Sequence, residues 1–205
     1  MLKQLPNMLT VSRLVAVFIL LALFDYDYGT TAGRATFFLV FVGAALTDLV
    51  DGTLAKKLAA ESALGAFIDP LADKALCWVS LWIIWQLCDI APVARILLVP
   101  VYLAIGGYDL VTTGLRYLKS RGFKLEMRTS HLGKVRTANI FVTLGAVFFV
   151  EALRSSMSPL LECVATVAFC GAGVWIVYLT YQSGRQYLLT ARPWEVLWPS
   201  SASAA

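Results

Sequence analysis

Charge is scarce in this chain. Only 15% of its 205 residues are charged against 59% hydrophobic, and the mean hydropathy is +0.74. Soluble domains carry about 25% charged residues, so a water-soluble fold is not expected. Histidine occurs once, as His131, and the four cysteines Cys77, Cys88, Cys163 and Cys170 form no CxxC pair. That shortage removes a zinc site and a disulfide framework, and leaves the cysteines as buried core thiols. No nucleic acid is expected as a partner. His131 itself reads as a cap or surface residue, and the six tryptophans as interface and packing residues.

What the chain has instead is long apolar runs. A bilayer-spanning helix needs about 20 mostly apolar residues, and six such stretches are found at 9–24, 32–57, 63–87, 93–118, 132–152 and 159–189. The fold class predicted is all-α: a polytopic membrane protein with one six-helix domain over 1–192 and a C-terminal tail over 193–205. The apolar segment 14–24 reads as the first span and not as a signal-peptide core. Pro100 and the Gly106-Gly107 pair are expected kink or close-packing points in the fourth span. Lys56 and Lys57 make one connection basic, and Lys119, Arg121, Lys124, Arg128, Lys134 and Arg136 make another. The positive-inside rule then puts both termini, and those loops, on the cytoplasmic side. The +4 net charge also suits an anionic leaflet.

Four aspartates interrupt these apolar helices, and a charged residue at mid-bilayer costs about 2.5 to 3.5 kcal/mol on insertion scales. Asp48 and Asp51 are three apart and Asp69 and Asp73 four apart, so each pair shares a helix face. A tight turn near 57–61 would make spans two and three an antiparallel hairpin, with Asp51 opposite Asp69 and Asp48 level with Asp73. One cluster results, two to three turns from the cytoplasmic end. Four carboxylates so close need a counter-charge. Lys56, Lys57 and Lys74 offer an ion-pair network, yet two of them lie at the turn and Lys74 sits about 100° around its helix from Asp73. Divalent metal is the better answer: an all-oxygen set selects magnesium or manganese, and four carboxylates can hold two ions. Gly52, Ala55 and Gly65 leave the helix surfaces open for a nucleotide or pyrophosphate, or serve simple helix packing.

Written out, residues 48–73 are DLVDGTLAKKLAAESALGAFIDPLAD. This resembles the signature D-x2-D-G-x2-A-R-x8-G-x3-D-x3-D of the CDP-alcohol phosphatidyltransferases, matching seven of its eight fixed positions. The departure is Lys56, which keeps the charge of the usual arginine but loses its planar fork. The resemblance implies that Asp48, Asp51 and Asp69 bind metal and that Asp73 binds metal and takes the proton of the attacking hydroxyl. Gly52, Lys56 and Ser62 match positions that contact the CDP-lipid.

The opening LPNMLTVSRL is similar to that of the bacterial glycerophosphate-accepting members, with Asn7, Thr10 and Arg13 as its polar positions, and Asn7 and Thr10 are expected at the CDP-lipid. GLRYL at 114–118 and GKVRT at 133–137 resemble segments of the phosphatidylglycerophosphate synthase branch, which usually has Arg-Glu where this chain has Tyr108-Asp109 and Gln where it has Asn139.

The implied reaction moves a phosphatidyl group from CDP-diacylglycerol to an alcohol, with CMP leaving. Arg116, Lys134 and Arg136 are expected to converge on a phosphate dianion, which makes glycerol 3-phosphate the favoured acceptor. Arg121, Lys124 and Arg128 read as a solvated positive-inside loop. The resemblance also implies a homodimer among membrane lipids. Two other readings stand beside it: a cardiolipin synthase of the same family, with phosphatidylglycerol as acceptor, and a cation transporter with its carboxylates along an ion path.

Overall fold

The computed structural model describes residues 5–58, 63–87, 92–121 and 131–191; at 5–10, 48–58, 63–71, 73, 92–94, 97 and 120 it describes the backbone alone. Six α-helices follow one another: α1 Leu5–Tyr26, α2 Thr31–Leu58, α3 Ala63–Leu87, α4 Pro92–Ser120, α5 His131–Leu153 and α6 Pro159–Ala191, with a single 3-10 turn at Arg154–Ser156. No strand occurs among the described residues. Each helix coincides with one apolar stretch of the sequence. The tail 193–205, the turn residues 59–61 and most of the basic connection after Arg121 lie outside the described residues.

Three helical segments, Leu98–Lys119, His131–Ser156 and Pro159–Ala191, are long and apolar enough to cross a membrane by length and composition, and 31–47 and 74–87 are shorter apolar helices. Large apolar side chains stand exposed on these helices, among them Leu39, Leu103, Val142, Leu160 and Val174. In water such a surface would aggregate, whereas a bilayer solvates it. The chain is a membrane protein. Side-chain hydroxyls and amides bond back to their own helices, as Thr180 does to the Ile176 carbonyl and Asn139 to the Val135 carbonyl, so they need no water.

Two compact units divide the chain. The first comprises Met1–Ile90 and Phe141–Phe169. Here α1 packs against both α2 and α3. The rings of Phe37 and Phe41 on α2 meet Phe148 of α5 with centroids 4.8 and 5.0 Å apart, and Gly145 admits Phe41 against its backbone. The α1–α2 corner is tightly made. Thr30 caps α2 by accepting the Gly33 N–H at 2.9 Å, and its hydroxyl donates to the Asp27 carboxylate at 2.9 Å. A side chain at Gly33 would run into the Asp27 carbonyl. Arg154 bridges Glu151 and Glu162 at 3.4 and 3.7 Å, tying the end of α5 to the start of α6.

The second unit comprises Ala91–Ile140 and Cys170–Ala205. Its core is the face between α4 and α6, where a side chain at Gly173 would meet Val101 at 3.3 Å and one at Gly184 would meet Tyr108 at 3.6 Å. Leu115, Tyr187 and Ala191 close one end of it, with Leu118 packed beside them. Close packing is therefore supplied by the glycines of α6. Gly107 faces open space, contrary to the close packing expected at the Gly106-Gly107 pair, and α4 continues as a helix through Pro100. The cysteines also differ from expectation. Cys77 is buried, but Cys163 is exposed and Cys170 half-buried, because a helix surrounded by lipid has no need to hide an apolar thiol; Cys88 lies outside the described residues.

Candidate active site

The carboxylate half of the site follows from three inward-facing stripes in the first unit. On α1 the buried positions are Arg13, Val17 and Leu20; on α2, Phe37, Phe41 and Ala44; on α3, Ala72, Leu76, Ser80 and Ile83. Steps of three and four residues keep each set on one helix face. Continued by the same steps, the α2 stripe reaches positions 48 and 51, the α3 stripe reaches 69 and 73, and the α1 stripe reaches 10. These helix positions carry aspartate on α2 and α3 and threonine on α1.

Depth agrees with register. Asp48 lies ten residues before the end of α2 and Asp73 ten residues into α3, which is about 15 Å from the connection on either side at 1.5 Å per residue. Asp51 and Asp69 lie about 10 Å from it. The two helices that carry these pairs both pack on α1. On α1, Asn7 and Thr10 lie on the turns before Arg13. Gly52 and Lys56 continue α2 toward its end. Ser62 lies outside the described residues.

Arg13 is the charged residue that spacing alone undervalued. It is 1% exposed, among the largest fully buried side chains. Arginine stays ionised in proteins, and a buried guanidinium needs negative charge nearby. Its place on a stripe running Thr10, Arg13, Val17, Leu20 was the available signal. A donor set of four carboxylate positions, all oxygen, has the chemistry of a hard-cation site.

Arg116, Lys134 and Arg136 belong to the second unit. Arg136, 7% exposed, lays its guanidinium over the Tyr108 ring with Cζ 3.7 Å from the centroid, and one of its Nη atoms is 3.9 Å from the Asp109 carboxylate. Such a desolvated cation–π contact is worth about 2 kcal/mol. Ser183 of α6 donates to the Tyr108 hydroxyl at 3.3 Å, and the Tyr108 and Tyr187 rings lie 6.5 Å apart. Arg116, exposed on α4, lies near Tyr187 without a hydrogen bond to its hydroxyl. Of the three expected basic residues, Arg136 is the one seated on a tyrosine ring. Lys134 is exposed, about 200° around α5 from Arg136. Tyr108, Asp109, Ser183 and Tyr187 were not expected as site residues; the Ser183/Tyr187 spacing on an otherwise apolar helix was the signal for the last two.

Comparison with known proteins shows the family. The family model of the CDP-alcohol phosphatidyltransferases matches residues 3–180. The chain is 34% identical over 182 residues to an Arabidopsis thaliana protein named CDP-diacylglycerol--glycerol-3-phosphate 3-phosphatidyltransferase 1, covering 83% of this chain and 59% of that one, so it spans less than two thirds of that relative. It is 30% identical over 205 residues to the Bacillus subtilis protein named CDP-diacylglycerol--glycerol-3-phosphate 3-phosphatidyltransferase, covering 95% and 97%. A cardiolipin synthase (CMP-forming) of Oryza sativa is 29% identical over 186 residues, 87% of this chain and 53% of the relative. With the signature on α2 and α3 and a match over most of its length, the chain belongs to the CDP-alcohol phosphatidyltransferase family.

Proposed function

We propose that the protein transfers the phosphatidyl group of CDP-diacylglycerol to a hydroxyl of glycerol 3-phosphate, forming phosphatidylglycerophosphate and CMP. The observation that carries this reading is the family signature at 48–73 within a family match over residues 3–180. Names of the Arabidopsis and Bacillus relatives support the acceptor. The acceptor oxygen forms a bond to the phosphorus that bears diacylglycerol, and the bond from that phosphorus to the CMP oxygen breaks. Asp73 receives the hydroxyl proton as the new bond forms, since an aspartate of ordinary basicity does not ionise a free alcohol in advance. Asp48, Asp51, Asp69 and Asp73 would hold magnesium or manganese, two ions in this reading, which would supply positive charge for the pyrophosphate as CMP departs.

Asn7, Thr10, Gly52, Lys56 and Ser62 bind the CDP-lipid in this scheme. Arg116, Lys134 and Arg136 take the acceptor phosphate, for which guanidinium forks are suited. The six helices span the bilayer with both termini and the site at the cytoplasmic face, the arrangement that the basic connections favour. A homodimer is part of the same proposal, and its mass in detergent tests it.

Phosphatidylglycerol is the competing acceptor, favoured by the Oryza relative's name. Purified full-length protein given CDP-diacylglycerol with either acceptor separates the two. The expected result is CMP release and phosphatidylglycerophosphate with glycerol 3-phosphate. Cardiolipin formed from phosphatidylglycerol instead would replace this assignment.

A further inference from the structure

Tyr108 does three things at once. Its ring carries the Arg136 guanidinium on one face at 3.7 Å, its hydroxyl accepts from Ser183, and its edge rests against the α6 backbone at Gly184, where an added Cβ would stand 3.6 Å away. A methyl at 184 would sit in ordinary van der Waals contact with the ring. Stacking engages the face of a guanidinium and keeps its N–H donors in plane, the geometry in which arginine grips a phosphate. Asp109, at 3.9 Å, restrains the rotation that stacking leaves open. We propose that Tyr108 is a positioning residue, locked to α6, that fixes the plane of Arg136 for the phosphate of the acceptor alcohol. This rests on the reading of Arg136 as an acceptor-phosphate ligand, and it gives Tyr108 and Ser183 a part in acceptor recognition that neither has by contact with substrate.

The test is steady-state kinetics of the full chain in lipid-detergent micelles, with Tyr108→Leu, Tyr108→Phe, Arg136→Ala and the double variant Tyr108→Leu/Arg136→Ala. Tyr108→Leu should raise KM for glycerol 3-phosphate about tenfold, the scale of a desolvated cation–π contact. Neither kcat nor KM for CDP-diacylglycerol should move by more than about twofold, a split that general unfolding would not produce. Tyr108→Phe keeps the ring but loses the Ser183 hydrogen bond, and should raise KM only about two- to threefold. Added to Arg136→Ala, the leucine change should cost nothing further. If Arg136→Ala raises KM while Tyr108→Leu leaves it alone, or if Phe is as poor as Leu, the positioning role is overturned. An unchanged KM in Arg136→Ala overturns the acceptor reading itself. Should Tyr108→Leu not accumulate, Ser183→Ala takes its place: an increase of about two- to threefold in the same KM supports the proposal, and an unchanged KM overturns it.

Discussion

Arg116 and Arg121 are five residues apart at the end of α4, and their settings differ. Arg121 donates to the Tyr117 hydroxyl at 2.6 and 3.0 Å and lies 5.2 Å from that ring's centre, all within one turn of chain. Arg116 lies near Tyr187 on α6 and makes no hydrogen bond to its hydroxyl. Arg116→Ala should therefore raise KM for glycerol 3-phosphate by about tenfold or more, the worth of a charge-assisted hydrogen bond, while Arg121→Ala should not. Equal effects would return Arg116 to the class of solvated loop residues. Asp73→Asn tests the other half of the chemistry. It should lower kcat about a thousandfold, the usual range for losing a general base, while CDP-diacylglycerol binding, measured by equilibrium dialysis into micelles, largely persists. A turning-over Asn variant would remove Asp73 from the base role. At this scale the acidic residues were legible because an aspartate in an apolar helix is costly and its spacing gives its face. The surroundings of Arg136 were not. Spacing placed Lys134 and Arg136 in one motif, but two residues on a helix look in different directions, and the ring beneath Arg136 comes from another helix.

Each helix was readable to within a few residues, since a long apolar run bounded by polar turns has one low-energy form in a bilayer. How helices approach one another was less so. Glycine at Gly107 and glycine at Gly173 look alike in sequence, yet only the second has a neighbouring side chain within contact of its Cβ position. The α1–α2 corner gives a sharper case, because Gly33 carries the N–H that Thr30 caps and has the Asp27 carbonyl where a methyl would go. Gly33→Ala should cost about 1 to 3 kcal/mol through the forced backbone shift, seen as a lower Tm of the detergent-solubilised protein. Because α1 and α2 both carry site positions, CMP release at high temperature should fail earlier by the same margin. A Tm equal to the parent's would show that the corner yields without cost.

Across the whole molecule, the proposed carboxylate positions belong to the first unit, and Arg116, Lys134 and Arg136 to the second. The first was visible as a dense motif in one stretch of chain, whereas the second depends on tertiary contacts between α4, α5 and α6 that no short pattern encodes. The claim on which the rest depends is that Asp48, Asp51, Asp69 and Asp73 form one divalent-cation site serving transfer from CDP-diacylglycerol. It is tested most directly by CMP release from CDP-diacylglycerol and glycerol 3-phosphate, using purified full-length protein stripped with EDTA and then titrated with magnesium or manganese. The predicted result is release at background without metal, restored on titration, and absent at every metal concentration when Asp48 or Asp69 is changed to Asn. Undiminished release in EDTA would contradict it, as would vesicle cation flux by a protein that releases no CMP.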